Sequence, residues 1–295
     1  MALLLSIHMR HHLPLIAALA TFVTVSCAGC AAAAAAATPV NAGQAAHSAS
    51  PTASASPTMA AEQRLSAAVA SVIKSDDGHA AVAVDDLTTG QAASYNGGDD
   101  FVTASIVKVD ILSALLYQLQ QSGESLSDEQ RELATTMIEN SNNDAASDLY
   151  DDDGEATGID AVNKAFGLTG TTVGADGYWG LTTTTVTDQI KVLRQVFTSD
   201  SLLTSSSRDY IQDLMSQVEA DQRWGVSAAA SHGSYLVKNG WLPNPDLWEI
   251  NSIGEVTHDG QKLLIVVLSA DDQTENGGIA LVQQIAQATA NAITS

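Results

Sequence analysis

A serine and a lysine three residues apart open the most apolar helix that the sequence predicts. Ser105 and Lys108 begin a run rich in Val, Ile and Leu, which predicts a buried helix over 105–121. One turn of helix brings the two side chains to the same face. A buried amine gives up its proton more readily than an exposed one, so Lys108 could act as a base toward the Ser105 hydroxyl.

The same spacing occurs a second time, so the motif alone has little specificity. Ser71 and Lys74 lie at the end of the first predicted helix, and Ser75-Asp76-Asp77 follows them. Solvent exposure there would keep the lysine charged. We interpret Ser71 as an ordinary residue of a helix surface.

Two further polar motifs follow along the chain. The triplet Ser-Asn-Asn at 141–143 comes after a predicted helix, and Lys-Asn-Gly-Trp at 238–241 closes an alternating stretch. Taken singly, the first is typical of a turn between helices. The second is typical of a strand end whose lysine extends toward solvent.

Hydrophobic periodicity predicts the elements that hold these motifs. The sequence Ser-Asp-Glu-Gln at 127–130 has the form of a capping box and begins one helix. The predicted helices cover 59–75, 105–121, 127–140, 144–150, 159–166, 186–197, 206–218 and 277–293. The predicted strands cover 80–86, 91–95, 235–238, 248–256 and 263–269.

This order of elements predicts one α+β domain over residues 59–295. The first two and last three strands must share a sheet, because a lone two-stranded hairpin is not stable. We therefore expect an antiparallel five-stranded sheet flanked by the terminal helices, with an all-α lobe inserted between its strands. A cleft where the lobe meets the sheet is the natural place for chemistry.

Together, and in this order, the three motifs resemble those of the penicillin-recognising serine hydrolases, that is, class A β-lactamases and low-molecular-weight penicillin-binding proteins. The family set is S-x-x-K, S-D-N and K-T-G. The resemblance covers about residues 60–295 and includes the surroundings of the motifs, namely Phe101, Met137-Ile138, Ala145-Ala146, 182–185 and 251–254.

The resemblance implies catalytic roles for three residues. Ser105 would be the acylated nucleophile and Lys108 would take its proton. Ser141 would pass a proton to the leaving nitrogen. No metal and no cofactor is implied.

The resemblance also implies substrate-binding roles. Asn143 would orient Lys108 and a substrate amide, and Lys238 would hold Ser141 and attract a substrate carboxylate. The backbone N–H groups of Ser105 and Trp241 would form an oxyanion hole, which contributes about 10²–10³ in rate for each donor. Asn239 and Gly240 would complete the binding strand.

The sequence departs from the family motifs at two positions. Asn142 replaces the Asp of S-D-N, where an amide can still bond the backbone. Asn239 replaces the Thr of K-T-G, and we expect an Asn239 amide N–H to substitute for the missing hydroxyl. In addition, the stretch between Ser105 and Ser141 is shorter than in class A enzymes, so one wall of the cleft is reduced.

The largest departure lies in the segment 171–182. Class A enzymes carry a Glu and an Asn there that hold the deacylating water, and this chain has no E-x-x-L-N sequence. Asp176 is the one acid of the segment and a candidate substitute, although an Asp flanked by glycine is commonly a turn residue. Because the residues that would hold the deacylating water are missing, acylation is better supported than turnover.

Arg223 is a candidate for binding a substrate carboxylate. A salt bridge to Asp221 is the alternative.

The N-terminal residues have the features of an export signal. Arg10 precedes a short apolar run over 13–25, which predicts a signal peptide over 1–29. Ala-Gly-Cys at 28–30 resembles a bacterial lipobox, in which Cys30 would carry the lipid. Ordinary cleavage and release is the alternative. Residues 30–58 are rich in Ala, Ser, Thr and Pro and predict a linker.

Composition and motif content exclude several other functions. The chain has 295 residues and a formal net charge of −22, which argues against binding nucleic acid. Its two cysteines, Cys27 and Cys30, leave the rest of the chain without a disulfide or a cysteine-based metal site. The sequence contains no G-x-S-x-G motif, which argues against a Ser-His-Asp hydrolase. The acidic run at 151–155 lacks the alternating ligands of a calcium loop.

These observations predict an exported, lipid-anchored or secreted, monomeric serine hydrolase of the class A β-lactamase-like fold. It would form an acyl-enzyme with β-lactams or with cell-wall peptides ending in D-Ala. The alternatives are a D,D-peptidase that β-lactams only inhibit, and a non-catalytic penicillin- or peptidoglycan-binding protein.

Overall fold

The computed structural model describes residues 57–73 and 78–295, so the predicted signal peptide, Cys30 and most of the linker lie outside the described residues. Five strands form an antiparallel sheet in the order β2-β1-β7-β6-β5. The predicted α+β fold is confirmed. No helix among the described residues is long and apolar enough to cross a membrane.

The strands are β1 (His79–Asp86), β2 (Ala92–Tyr95), β3 (Phe101–Val102), β4 (Thr183–Thr184), β5 (Tyr235–Asn244), β6 (Leu247–His258) and β7 (Gln261–Asp272). The α-helices are α1 (Pro57–Val72), α2 (Val107–Ser122), α3 (Asp128–Glu139), α4 (Asn143–Asp152), α5 (Glu155–Phe166), α6 (Val186–Phe197), α7 (Ser205–Ser216) and α8 (Glu275–Thr294).

Local sequence signals account for several helix ends. Ser127 and Gln130 form the predicted capping box at the start of α3. Gly123 ends α2 with a φ of 74°, and its N–H donates to the Leu119 and Gln120 carbonyls. The exposed Ser71 lies on α1, as expected for a helix surface, and its hydroxyl donates to the Ala68 carbonyl.

The terminal helices pack together and onto the sheet. Helix α1 contacts α8 and β2, and α8 contacts β1, β6 and β7. From the inserted lobe, α6 contacts β1, β6 and β7. The central strand β7 is buried over 263–269 because it has a neighbour on each side and helices against it.

Several predicted element ends differ from the structure, and two of these differences bear on the candidate site. The helix of Ser105 was expected to begin at that residue, but Ser105 lies in a 3-10 turn over 104–106 and the α-helix begins at Val107. The strand of Lys238 was expected to stop there, but β5 continues to Asn244 because its partner β6 pairs with it along that whole length. Pro243 is tolerated because β5 is an edge strand.

A second, two-stranded sheet that the sequence did not predict lies at the approach to Ser105. In it β3 pairs with β4, and Phe101 faces Thr184. Next to this pair the Thr103 N–H donates to the Thr182 carbonyl at 2.8 Å. The segment that ends at β4 is thereby held beside the residues that lead into Ser105.

Candidate active site

The amine of Lys108 lies at the centre of a cluster of polar groups. Its Nζ is 3.0 Å from Ser105 Oγ, 3.1 Å from Ser141 Oγ, 2.7 Å from Asn143 Oδ1 and 2.6 Å from the Ser141 carbonyl. The side chain has no exposed surface. The lysine thus contacts one residue of its own motif and two residues of the second motif.

Lys238 reaches the same cluster from the sheet. Its Nζ donates to Ser141 Oγ at 3.0 Å and to the Asn239 carbonyl at 3.2 Å. This side chain is also fully buried. The structure therefore brings Ser105, Lys108, Ser141, Asn143 and Lys238 into one hydrogen-bonded group.

Burial favours the neutral form of both amines. It lowers the pKa of Lys108 from 10.5 to about 7, because a charged ammonium is poorly solvated there. Burial, followed by the charge of nearby Lys108, holds the pKa of Lys238 well below its usual range. A neutral Lys108 can donate its two N–H groups to the Ser141 carbonyl and Asn143 Oδ1. Its lone pair then faces the Ser105 hydroxyl.

Backbone contacts fix Ser105 against β5. Ala104 has a φ of 47°, which places the residue before the nucleophile in the left-handed region. A Cβ on Gly240 would lie 2.7 Å from Ser105 N and 2.7 Å from the Thr103 carbonyl, so only glycine fits there. Asn251 Nδ2 donates to the carbonyls of Val102 and Thr103 at 2.8 and 3.0 Å.

The second motif is held by the start of α4. Asn142 Oδ1 accepts from the Ala145 N–H at 2.8 Å, so the amide caps the helix as expected for a replacement of Asp. Ser141 has a φ of 56°, which is uncommon for a residue with a side chain. This turn directs the Ser141 hydroxyl and the Asn143 amide toward Lys108.

The prediction that an Asn239 amide N–H is free for a substrate is wrong. Asn239 is fully buried, and its Nδ2 donates to the carbonyls of Gln222 and Trp224 at 2.7 and 3.0 Å. Both amide hydrogens are therefore used. Asn239 braces the segment 222–224 against β5 instead of presenting a donor to the cleft.

The two remaining candidates lie apart from the cluster. Asp176 is exposed in a turn with a φ of 55°, and it does not line the cleft. The Nε of Arg223 donates to the Val218 carbonyl. Among the described residues no ion pair joins Arg223 to Asp221, so the predicted alternative of a salt bridge is wrong.

The cleft beside Ser105 has a volume of about 370 Å³ and mostly apolar walls. It is lined by Ala104, Ser105, Asn143, Trp241, Leu242 and the segment 177–181. None of these lining residues is charged. Tyr178 and Leu181 remain 64 % and 48 % exposed at its rim.

Sequence reasoning missed Trp179. Its ring centroid lies 5.1 Å from Lys108 Nζ, and its Nε1 donates to Ser147 Oγ at 3.1 Å. The one signal for it was a pair of large aromatic residues at 178 and 179 within a glycine-rich stretch. In the described part of the chain, no group of three or more His, Cys, Asp or Glu side chains is arranged to hold a metal.

Comparison of sequences identifies relatives of this chain. The model of the Beta-lactamase enzyme family matches residues 64–131 and 129–293. The "Putative lipoprotein LppW" of Mycobacterium bovis and of Mycobacterium tuberculosis is 26% identical over 207 residues, which is 67% of this chain. The chain spans 66% of the length of that relative.

Comparison of structures finds the same fold. The class A beta-lactamase of Bacteroides cellulosilyticus has a TM-score of 0.70 at 17% identity, covering 80% of this chain and 99% of that one. An acyl-enzyme complex of PBP-A with penicillin G has a TM-score of 0.67 at 19% identity, covering 79% and 96%. The extended-spectrum beta-lactamase TLA-1 has a TM-score of 0.72 at 14% identity, covering 80% and 100%.

Proposed function

Because the chain belongs to the beta-lactamase enzyme family, we propose that it forms an acyl-enzyme at Ser105. Its substrates are β-lactams or cell-wall peptides ending in D-Ala. The observation that carries the proposal is the 3.0 Å contact between Ser105 Oγ and a buried Lys108 amine whose pKa is about 7. Such an amine is partly neutral near pH 7 and can accept a proton.

The acylation step uses the atoms of this cluster. Ser105 Oγ forms a bond to the substrate carbonyl carbon, and its proton passes to Lys108 Nζ. The carbon–nitrogen bond then breaks. The proton moves from Lys108 through the Ser141 hydroxyl to the leaving nitrogen, because Ser141 Oγ is 3.1 Å from Lys108 Nζ. Ser105 is left as an ester and Lys108 is neutral again.

The sheet supplies the binding groups of this proposal. The backbone N–H groups of Ser105 and Trp241 stabilise the oxyanion, and the close approach of Gly240 to Ser105 supports their adjacency. Lys238 holds Ser141 and attracts a substrate carboxylate when it is charged. Asn143 orients Lys108 and binds the substrate amide.

Intact mass after exposure to benzylpenicillin tests the proposal. We expect the mass of the wild-type protein to increase by the mass of benzylpenicillin, and the mass of Ser105→Ala to stay unchanged. Ser71→Ala is the matched control, because Ser71 has the same spacing to a lysine and lies exposed on α1. An adduct that survives Ser105→Ala contradicts the proposal, because it places the chemistry on another residue. A wild type that shows neither an adduct nor hydrolysis of the drug also contradicts it and leaves a binding protein.

A D,D-peptidase that β-lactams only trap is the second candidate. The observation that favours it is the absence of a carboxylate among the described residues that line the cleft. An acyl-enzyme without a nearby base for water hydrolyses slowly. A single stoichiometric burst of nitrocefin hydrolysis supports the peptidase, whereas steady hydrolysis supports a β-lactamase. Ser105→Ala serves as the negative control in this experiment.

Export and a lipid anchor are part of the proposal. The Ala-Gly-Cys sequence at 28–30 supports diacylglycerol on Cys30, and the lipoprotein name of the LppW relative is consistent with it. The protein would then act as a monomer on the outer face of the cytoplasmic membrane. Metabolic labelling with a fatty acid tests this, because label retained by Cys30→Ala contradicts the assignment.

A further inference from the structure

The indole of Trp179 covers one side of the Lys108 amine. The ring centroid is 5.1 Å from Nζ, and the same ring lines the cleft that contains Ser105. Its Nε1 donates to Ser147 Oγ on α4 at 3.1 Å. The ring is therefore fixed at two places, by contact with the amine and by a bond to the neighbouring helix.

The segment that carries Trp179 is tightly folded. The Trp179 carbonyl accepts from both N–H and Oγ1 of Thr182, at 3.1 and 2.7 Å, and Thr182 Oγ1 accepts from the Gly174 N–H at 3.1 Å. A Cβ on Gly174 would lie 2.0 Å from the Tyr178 carbonyl, so the two sides of the loop touch. This backbone leaves the indole little freedom to swing away.

The ring contacts the amine that would have to activate a water for an acyl group on Ser105. Once the proton of Ser105 has moved on to the leaving group, neutral Lys108 is the nearest base, at 3.0 Å from Ser105 Oγ. Hydrolysis then requires a water between Lys108 and the ester carbonyl. An apolar ring against the amine removes hydrogen-bonding partners that such a water needs.

We propose that Trp179 excludes water from the acyl bond on Ser105 and thereby sets the lifetime of the acyl-enzyme. The inference rests on the proposed function, because it needs an acyl group on Ser105. In the step that the ring suppresses, the water oxygen bonds to the acyl carbon and one water proton passes to Lys108. The carbon–Oγ bond of Ser105 then breaks, the proton returns to Oγ, and a carboxylic acid leaves.

The test separates formation of the adduct from its loss. Wild type, Trp179→Ala, Trp179→Leu and Trp179→Phe are acylated with benzylpenicillin, freed of excess drug and followed by intact mass. We expect Trp179→Ala to lose the adduct about tenfold faster or more, equivalent to about 1.4 kcal/mol in the barrier. Because excess drug is removed before the time course begins, the loss of the adduct is measured independently of the rate at which the adduct formed.

The other variants make the result specific. Trp179→Phe keeps an aromatic face over Lys108 and should restore an adduct lifetime close to that of wild type. Trp179→Leu keeps an apolar side chain with less coverage and tests the inference if the alanine variant fails to fold. Ser147→Ala removes only the Nε1 partner and should change the lifetime less than Trp179→Ala.

The outcomes distinguish the two levels of inference. A wild type that neither retains an adduct nor hydrolyses benzylpenicillin overturns the proposed function and this inference with it. A wild type that hydrolyses the drug steadily without retaining an adduct overturns the role of Trp179 alone. An adduct on all proteins, lost at the wild-type rate from both Trp179→Ala and Trp179→Leu, overturns the role of Trp179 alone. Equal acceleration in Trp179→Phe and Trp179→Ala also overturns it, because the aromatic face would then be irrelevant.

Discussion

Lys108 and Lys238 meet at a single hydroxyl, with their Nζ atoms 3.1 and 3.0 Å from Ser141 Oγ. Both side chains are fully buried, and two ammonium charges at this separation would repel each other with little solvent to screen them. The arrangement therefore favours loss of a proton from one or both amines. The Ser141 hydroxyl, which belongs to the second motif, thereby connects the S-x-x-K helix to strand β5.

The first prediction concerns the pH dependence of acylation. Lys108 must be neutral to accept the Ser105 proton, and its pKa is lowered to about 7. The second-order rate of acylation by benzylpenicillin should therefore fall about tenfold per pH unit well below pH 7 and level off above it. Stopped labelling from pH 5 to pH 9 measures this profile.

Substitution of Lys108 provides the control for that profile. Lys108→Ala removes the base and should abolish acylation at pH 7, while Lys108→Arg keeps a permanent charge and should do the same. Labelling of either variant at a rate near that of wild type, or a flat profile for the wild type, would show that Lys108 is not the base.

The second prediction concerns Gly240. A Cβ there would meet Ser105 N and the Thr103 carbonyl at 2.7 Å, and backbone atoms cannot move aside cheaply. Gly240→Ala should displace Ser105 from β5 and lower the acylation rate by about a hundredfold, the loss expected when one oxyanion donor is misplaced. Gly98→Ala is the matched control, since its Cβ meets no atom within 4 Å. Equal rates for the two variants would refute the close approach.

The third prediction concerns Asn239. Asn239→Ala leaves the partly buried Gln222 and Trp224 carbonyls without their donor, and an unpaired group costs about 1–3 kcal/mol when it is fully buried. Because both carbonyls keep some contact with water, the free energy of unfolding in urea should fall by about 2 kcal/mol, the lower end of the range for two groups. Asn239→Thr, which restores the family residue, has one donor and should also be destabilised.

Asn291, exposed on α8, offers a control for Asn239. Asn291→Ala should change the free energy of unfolding by less than about 0.5 kcal/mol. If Asn239→Ala is as mild as this control, the side chain does not brace the segment 222–224.

The fourth prediction concerns the pH dependence of stability. Burial raises the pKa of Asp110 to about 7, while the bond from Gln189 Nε2 at 3.0 Å opposes the rise and nearby Asp188 adds to it. Between about pH 4 and pH 7 the folded protein keeps a proton that the unfolded chain loses. Asp110 therefore contributes its full stabilisation below about pH 4. This contribution decreases by up to ~1.4 kcal/mol per pH unit as the pH rises from there, and it is lost by about pH 7.

Comparison with Asp110→Asn isolates this contribution. The variant does not titrate, so its stability relative to wild type should rise between pH 4 and pH 7 when both are unfolded in urea. Asn291→Ala, which removes no titratable group, should run parallel to wild type over the same range. A constant difference between Asp110→Asn and wild type would contradict the prediction.

The fold class and the set of reactive residues can be predicted from the amino-acid sequence. Helix α6 begins and ends at the predicted Val186 and Phe197, and the capping box of α3 forms at Ser127. These features depend on the side-chain period and on caps within one or two turns, which are local. The three motifs also identified Ser105, Lys108, Ser141, Asn143 and Lys238 before their distances were known.

The contacts made by residues that depart from the family motifs depend on how distant segments pack together. Asn239 faces carbonyls 15 and 17 residues away, and Trp179 covers a lysine on another helix. Ser141 has a φ of 56°, and its hydroxyl contacts both Lys108 and Lys238. Such contacts join residues far apart in the chain, so no local period or cap carries a signal for them; packing of the lobe against β5 creates them.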